Sequence, residues 1–494
     1  MHHIERDVVI IGAGATGLTA ATRLKAAGLS VAVIEARDRV GGRLLTDHID
    51  GQLYEVGGQW VSPDQTALIQ TLADLGLDTY ERYREGESVY VGADGEAKRF
   101  TGDIFPGSPH TEAEIERLIG ILDQLVAETD PAAPWEHPRA AEFDRISFEL
   151  WLEQQSDDDE ARKNIALFIA GAMLTKPAHS FSLLQALLMA ASAGSFSHLV
   201  DADFILDKRV LGGLQQVPLK LAETLGDDVL LGRAVTTLEW SDAGVRVHAT
   251  DAAPASSTDP SSPDPEAGAD PANPADVLVV DARFAVVAVP PNLYTRIRYE
   301  PALPRLRQQQ FQHQSLGLVI KVHATYATPF WRDAGLSGTA FSPYQLVHEA
   351  YDNSNAGETQ GTLVGFVSDE KADAVLELAP EERKRLILES LAAYYGPQAL
   401  EPTVYYESDW ASEEWTGGAY ATSFDLGGLT RYGAMQLEPI GPIRFGSSDL
   451  AAEGYQHVDG AIRVGWRLAD EIVAAAGPAD ENRSDARSIE GEAE

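Results

Sequence analysis

The run Val8-Val9-Ile10-Ile11-Gly12-Ala13-Gly14-Ala15-Thr16-Gly17, close to the start of the chain, constrains the fold more than any other feature. An apolar strand passes directly into G-x-G-x-x-G, and a helix follows with Leu18, Ala21 and Leu24 along one face. Each glycine answers a separate steric demand. Gly12 permits the tight turn, Gly14 lets a pyrophosphate approach the backbone, and Gly17 lets helix and strand pack closely. The helix N-terminus offers unpaired N–H groups and a positive dipole end to phosphate. A second strand over 30–35 ends at Glu35, roughly 20 residues on, where a carboxylate can accept hydrogen bonds from a ribose. Strand, loop, helix and acid in this register predict a dinucleotide-binding βαβ unit at the head of an α/β protein.

Strand and helix patterns alternate beyond it. A further strand is expected over 284–289, and helices over 16–27, 112–129, 181–192 and 380–395. No internal repeat is found, and 494 residues suggest two or three domains. Residues 251–276 are almost all Ala, Pro, Ser, Asp and Glu, too polar to offset their chain entropy by burial. Strand-like runs at 245–248 and 277–280 flank them, so they are expected to be a long disordered loop tipping a hairpin. A polar, acidic tail at 477–494 is expected to be disordered too.

Composition removes several function classes. The chain has no cysteine, which excludes disulfides, a thiol nucleophile and thiolate metal sites. No cluster suggests any other metal site. No run of about 18 apolar residues and no signal-peptide pattern are present, so a soluble, cytoplasmic protein without membrane contact is expected. A formal net charge of −38 repels phosphate backbones and argues against nucleic-acid partners. That charge could serve solubility, for instance in a saline habitat, or draw cationic substrates towards a cleft.

Three blocks after the first glycines carry a resemblance. Glu35-Ala36-Arg37-Asp38-Arg39-Val40-Gly41-Gly42-Arg43, then Val56-Gly57-Gly58-Gln59-Trp60, then Phe445-Gly446-Ser447-Ser448-Asp449 resemble the flavin-binding segments of the flavin-containing amine oxidases. The resemblance is densest to the bacterial putrescine oxidases, at 59–65, 172–177 and 203–208, and spans nearly the whole chain apart from the acidic loop and tail. It implies a glutathione-reductase-like, Rossmann-type FAD-binding domain interleaved with an α+β substrate-binding domain, as in monoamine oxidases. The implied FAD domain is discontinuous, over 1–75, 206–292 and 413–476, with the substrate domain over 76–205 and 293–412. The implied FAD contacts are Gly12, Gly14, Ala15, Thr16, Gly17, Glu35, Ala36, Arg37, Gly41, Gly42, Arg43, Gly57, Gly58, Gln59, Trp60, Val235, Trp410, Ala419, Tyr420, Ser448, Asp449 and Val458.

The same resemblance assigns the chemistry. Lys321, in Leu318-Val319-Ile320-Lys321-Val322, matches a lysine that holds a water against flavin N5; read alone, it could snorkel to the surface. Trp410 to Tyr420 match the block carrying the cofactor's covalent attachment and half of an aromatic cage. Ala419 stands where monoamine oxidases have the attached cysteine, so FAD is expected to be non-covalent. Tyr420 would form one cage wall, although a tyrosine in a Gly-Gly loop is by itself more often plain packing. His457 falls where the second cage tyrosine belongs, a departure that makes the second wall an imidazole whose state depends on pH. Glu349 matches the glutamate that receives the distal ammonium of a diamine; read alone, it is a solvated surface acid. The implied activity is oxidation of putrescine by dioxygen to 4-aminobutanal, ammonia and hydrogen peroxide, in a homodimer. A broader monoamine or polyamine oxidase, or a flavin binder without turnover, remain alternatives.

Overall fold

The computed structural model describes residues 2–201, 204–252 and 277–477. Of the stretch expected to form a disordered loop, 253–276 lie outside the described residues, as do 478–494 of the expected tail; Asp251 itself closes a strand.

An eight-stranded sheet draws its strands from the start of the chain and from as far along as Ile443–Phe445. Strand β1 (His2–Ile11) is continuous and apolar at its C-terminal end, where Val8 to Ile11 are buried. Helix α1 (Ala15–Ala26) follows and strand β2 (Val31–Ile34) returns parallel, with Val8 opposite Val31. On the other side of β1 lies Leu278–Val287, also parallel. The expected strand at 284–289 and the strand-like run at 277–280 are thus one ten-residue strand. It pairs on its far side, antiparallel, with Gly244–Asp251, so the hairpin expected around the acidic stretch is present. Its two ends, 278–280 and 285–287, are buried and carry the β-formers, while the four residues between them are half-buried.

The four expected helices are found, the one at 16–27 as α1 and two of the others with clearly shifted starts. The second runs from Pro109 to Ala127, three residues early, because Ser108 accepts a hydrogen bond from Thr111 N at 3.1 Å and Pro109 fits the first helical position. Another begins at Leu183 and not at 181, capped by Ser182 Oγ, which accepts from Gln185 N at 3.1 Å. The fourth spans Pro380–Tyr395.

A seven-stranded sheet joins Glu87–Val91 and Ala97–Phe100 to strands from the later part of the chain. At its centre, strands β3 (Val319–Tyr326), β4 (Glu349–Asp352) and β5 (Gly361–Ser368) run antiparallel in the spatial order β3-β5-β4. All three are buried on both faces. The long C-terminal helix α2 (Val458–Ala476) lies against α1, and a side chain at Gly465 would meet Thr16 O at 2.8 Å. This contact brings the N-termini of both helices to one cavity between the two sheets.

Candidate active site

The cavity begins at the glycine loop. Gly12 has φ +107°, and a Cβ there would meet Ala288 O at 2.8 Å, so the turn requires glycine. At Gly14 a Cβ would meet nothing within 4 Å, which leaves room for a ligand against the backbone. A Cβ on Gly17 would lie 2.0 Å from Gly12 O, so this glycine serves packing and does not line the cavity. Neither α1, with Gly14 at its cap, nor α2, with His457 at its cap, has a side-chain cap. Two positive helix ends therefore face the same space. Glu35 is buried and braces the loop, accepting from Ala13 N at 2.8 Å and from Arg37 N at 3.0 Å. A cradle with uncapped helix ends and an open face at Gly14 fits the pyrophosphate of a dinucleotide.

Most of the expected cofactor residues come together here. Ala15, Thr16, Ala36, Arg37, Gly41, Gly42, Arg43, Gly57, Gly58, Gln59, Trp60, Val235, Trp410, Ala419, Ser448 and Val458 line this one cavity. Asp449 does not. Burial pushes its carboxyl up, but the Arg43 guanidinium at 2.5 Å holds it below the usual range, and Ser447 Oγ and Thr422 N also donate to it. Arg43 is turned inward as well, donating to Tyr420 O at 2.6 Å and Ser448 Oγ at 3.1 Å.

The reactive end is built on the second sheet. Lys321 on β3 lies directly opposite Phe366 on β5, and Phe366 lies directly opposite Glu349 on β4. Residues paired across antiparallel strands share a face, so these three side chains stand in one row over about 10 Å. All three line the cavity. Trp60, Tyr351 and Tyr420 fill the space around the row, with Trp60 edge-on to Tyr351 at 5.6 Å and Phe366 of the row edge-on to Tyr420 at 6.5 Å.

Lys321 does not snorkel. Its Nζ is buried, lies 5.5 Å from the Trp60 ring centre, and donates to Glu55 O at 2.7 Å, Gly57 O at 2.8 Å and Gln59 Oε1. Asn353 Oδ1 in turn accepts from the Gln59 amide at 2.7 Å. Burial lowers the lysine to about 7. An ammonium with three donors matches three acceptors; the neutral amine leaves one of them without a proton.

Tyr420 and His457 face the same cavity. Burial, and then the charge of Glu349, raise the Tyr420 phenol well above its ordinary value, so it stays protonated. Burial lowers His457 despite a hydrogen bond from Nδ1 to Tyr455 O at 2.9 Å. That bond places the proton on Nδ1 and leaves the lone pair on Nε2. Glu349 is no surface acid: it is buried, with Oε2 accepting from the Tyr351 hydroxyl at 2.8 Å.

Sequence reasoning did not find Tyr351, Phe366 or Phe168 as lining residues. Tyr351 was within reach, since it follows Glu349 by two positions on one strand and so shares its face. Phe168 was not, because it sits in an irregular π-helical turn, Leu167–Leu174, that no periodicity announces. Among the described residues there is no group of three His, Cys, Asp or Glu able to hold a metal, and no helix long and apolar enough to cross a membrane.

Comparison with known proteins agrees with this geometry. The sequence profile of flavin-containing amine oxidoreductases matches residues 15–473. The chain is 58% identical over 474 residues to a putrescine oxidase of Kocuria rosea, covering 96% of both. It shares its mixed α/β fold with the solved structure of wild-type putrescine oxidase bound to putrescine, at 61% identity and a TM-score of 0.89 over 96% of this chain and all (100%) of that one. Cyclohexylamine oxidase from Brevibacterium oxydans has the same fold at 28% identity, with a TM-score of 0.86 and the same coverage, 96% and 100%.

Proposed function

This chain belongs to the flavin-containing amine oxidoreductases, and we propose that within them it oxidises putrescine, 1,4-diaminobutane, with dioxygen and water to 4-aminobutanal, ammonia and hydrogen peroxide. The cofactor is FAD. The observation that carries the choice of substrate is the buried carboxylate of Glu349, set in one row with Lys321 across the sheet.

Bound FAD supplies a two-electron oxidant that takes hydride from the carbon next to nitrogen and returns the electrons to dioxygen. The protein does the rest. The glycine cradle, the two helix ends and Glu35 would hold the dinucleotide; the three donors of a charged Lys321 are taken by Glu55 O, Gly57 O and Gln59 Oε1, so it could hold a water only as the neutral amine, through its lone pair. A diamine arrives with both ends protonated, yet only a neutral amine can lose hydride. The end that enters between Tyr420 and His457 is desolvated, which favours release of its proton. Neutral His457 can accept a hydrogen bond at Nε2, whereas Tyr420 keeps its own proton. The other end stays charged, and Glu349 pairs with it, because a buried ammonium without a counter-charge is strongly unfavourable. The imine so formed leaves and hydrolyses in water.

The division into an FAD domain over 1–75, 206–292 and 413–476 and a substrate domain over 76–205 and 293–412 belongs to this proposal, as do a homodimer and a cytoplasmic location.

The deciding experiment is anaerobic stopped-flow mixing of the yellow holoenzyme with putrescine, cadaverine, spermidine, tyramine and cyclohexylamine. Fast flavin bleaching is expected with putrescine above the others, reversed by oxygen with formation of peroxide. Faster bleaching by tyramine or cyclohexylamine would replace the diamine reading with a monoamine one. In addition, with alanine at 419 and no cysteine in the chain, acid precipitation is expected to release all the FAD into the supernatant. Yellow colour retained in the washed pellet would refute non-covalent binding.

A further inference from the structure

A carboxylate can measure the length of a diamine only if it is itself held still. A glutamate on a strand has several staggered rotamers, and charge attraction alone would follow a flexible ammonium into more than one of them. In this structure the Tyr351 hydroxyl donates to Glu349 Oε2 at 2.8 Å from two positions along the same strand face. The other oxygen, Oε1, has His348 Nε2 at 3.6 Å, beyond hydrogen-bonding distance. Tyr351 is fixed in turn. Only 1% exposed, its ring stands edge-on to Trp60 at 5.6 Å and to Phe341 at 5.8 Å, with the Arg82 guanidinium 5.3 Å from its centre. Arg82 donates to Leu206 O and Thr339 Oγ1, both at 3.1 Å. Trp60 links this clamp to Lys321, whose Nζ lies 5.5 Å from its ring centre.

We propose that Tyr351 is the positioning residue for chain-length selection: by holding Oε2 of Glu349 it presents Oε1 to the distal ammonium at a set distance from the oxidising end. The inference rests on the reading of Glu349 as the diamine anchor. The titratable groups around that carboxylate are Tyr351 and His348 beside it, Tyr420 across the cavity and Tyr394 from the helix Pro380–Tyr395.

The test compares Tyr351→Phe, Glu349→Gln and the double variant, measuring kcat and KM for 1,4-diaminobutane, 1,5-diaminopentane and 1-aminobutane. Tyr351→Phe is expected to lower kcat/KM for 1,4-diaminobutane roughly tenfold, mainly through KM. It should bring the two diamines closer together in rate and leave 1-aminobutane unchanged. In the Glu349→Gln background the tyrosine substitution should add nothing. An equal loss on all three amines, or the same loss in the Glu349→Gln background, would reduce Tyr351 to a packing residue and overturn the proposal. So would an unchanged ratio between the two diamines. If Glu349→Gln itself leaves 1,4-diaminobutane untouched, the diamine reading falls and this inference with it.

Discussion

Glu349→Gln is expected to lower kcat/KM for 1,4-diaminobutane by roughly two orders of magnitude or more while changing that for 1-aminobutane little. Glu349 is 6% exposed and faces a cavity walled by Trp60, Phe366 and Tyr420, so the distal ammonium of a diamine would be stripped of water there. Breaking a desolvated, hydrogen-bonded charge pair by removing one partner costs about 2–5 kcal/mol, and each 1.4 kcal/mol is about tenfold. Glutamine keeps the volume and can still accept from Tyr351, so packing is conserved and the loss reports charge. A monoamine brings no second charge, so it has no pairing with Glu349 to lose. Steady-state kinetics on both amines give the answer. Equal losses on the two would show that Glu349 does not read the second amine.

Arg209→Met is expected to destabilise the FAD-saturated protein by about 3–5 kcal/mol. Arg209 and Glu55 are buried together, 1% and 0% exposed, and meet at 2.8 Å. Arg209 also donates to Asn353 O at 2.8 Å and Asn355 Oδ1 at 3.1 Å, while Glu55 accepts from Leu214 N at 2.7 Å. Methionine fills much of the space but leaves a carboxylate in the interior without its cation. Glu55→Gln combined with Arg209→Met should recover part of the loss, because an apolar or neutral pair avoids that stranded charge. Denaturant unfolding of the three variants checks this, and a wild-type stability for Arg209→Met would contradict it. The pair also bears on catalysis. Arg209 pushes Lys321 down and Glu55 pushes it up, so removing the arginine should move the lysine's titration above about 7. Any limb of the activity profile that belongs to Lys321 should then shift to higher pH.

What was legible in the sequence is what short-range geometry dictates. The glycines at 12, 14 and 17 answer to one turn and one helix start, and Glu35 closes the same unit at the end of the next strand. Ser108 and Ser182 start their helices through bonds to residues three positions on, within any local window, although the apolar pattern alone misplaced both starts. The pairing of Gly244–Asp251 with Leu278–Val287 was readable because two strand-like runs flank a polar stretch that cannot pack. Lys321 stood out because an ammonium in an apolar strand demands an explanation.

Tertiary structure alone decided the rest. Whether Lys321 is buried depends on acceptors at Glu55, Gly57 and Gln59, more than 260 positions away, and no local pattern contains them. Asp449 lies in a flavin-like block, yet its carboxylate goes to Arg43, 406 positions earlier, and not to the cavity. Above all, the row Lys321–Phe366–Glu349 exists only because β5 lies between β3 and β4 in that register, and a slip by one residue would turn the whole row to the other face. Sequence determined which chemical groups the chain has and the short elements that carry them. The distances between those groups were set by strand pairing and helix packing, because contacts remote along the chain are fixed by the shared burial of whole faces and not by any one segment.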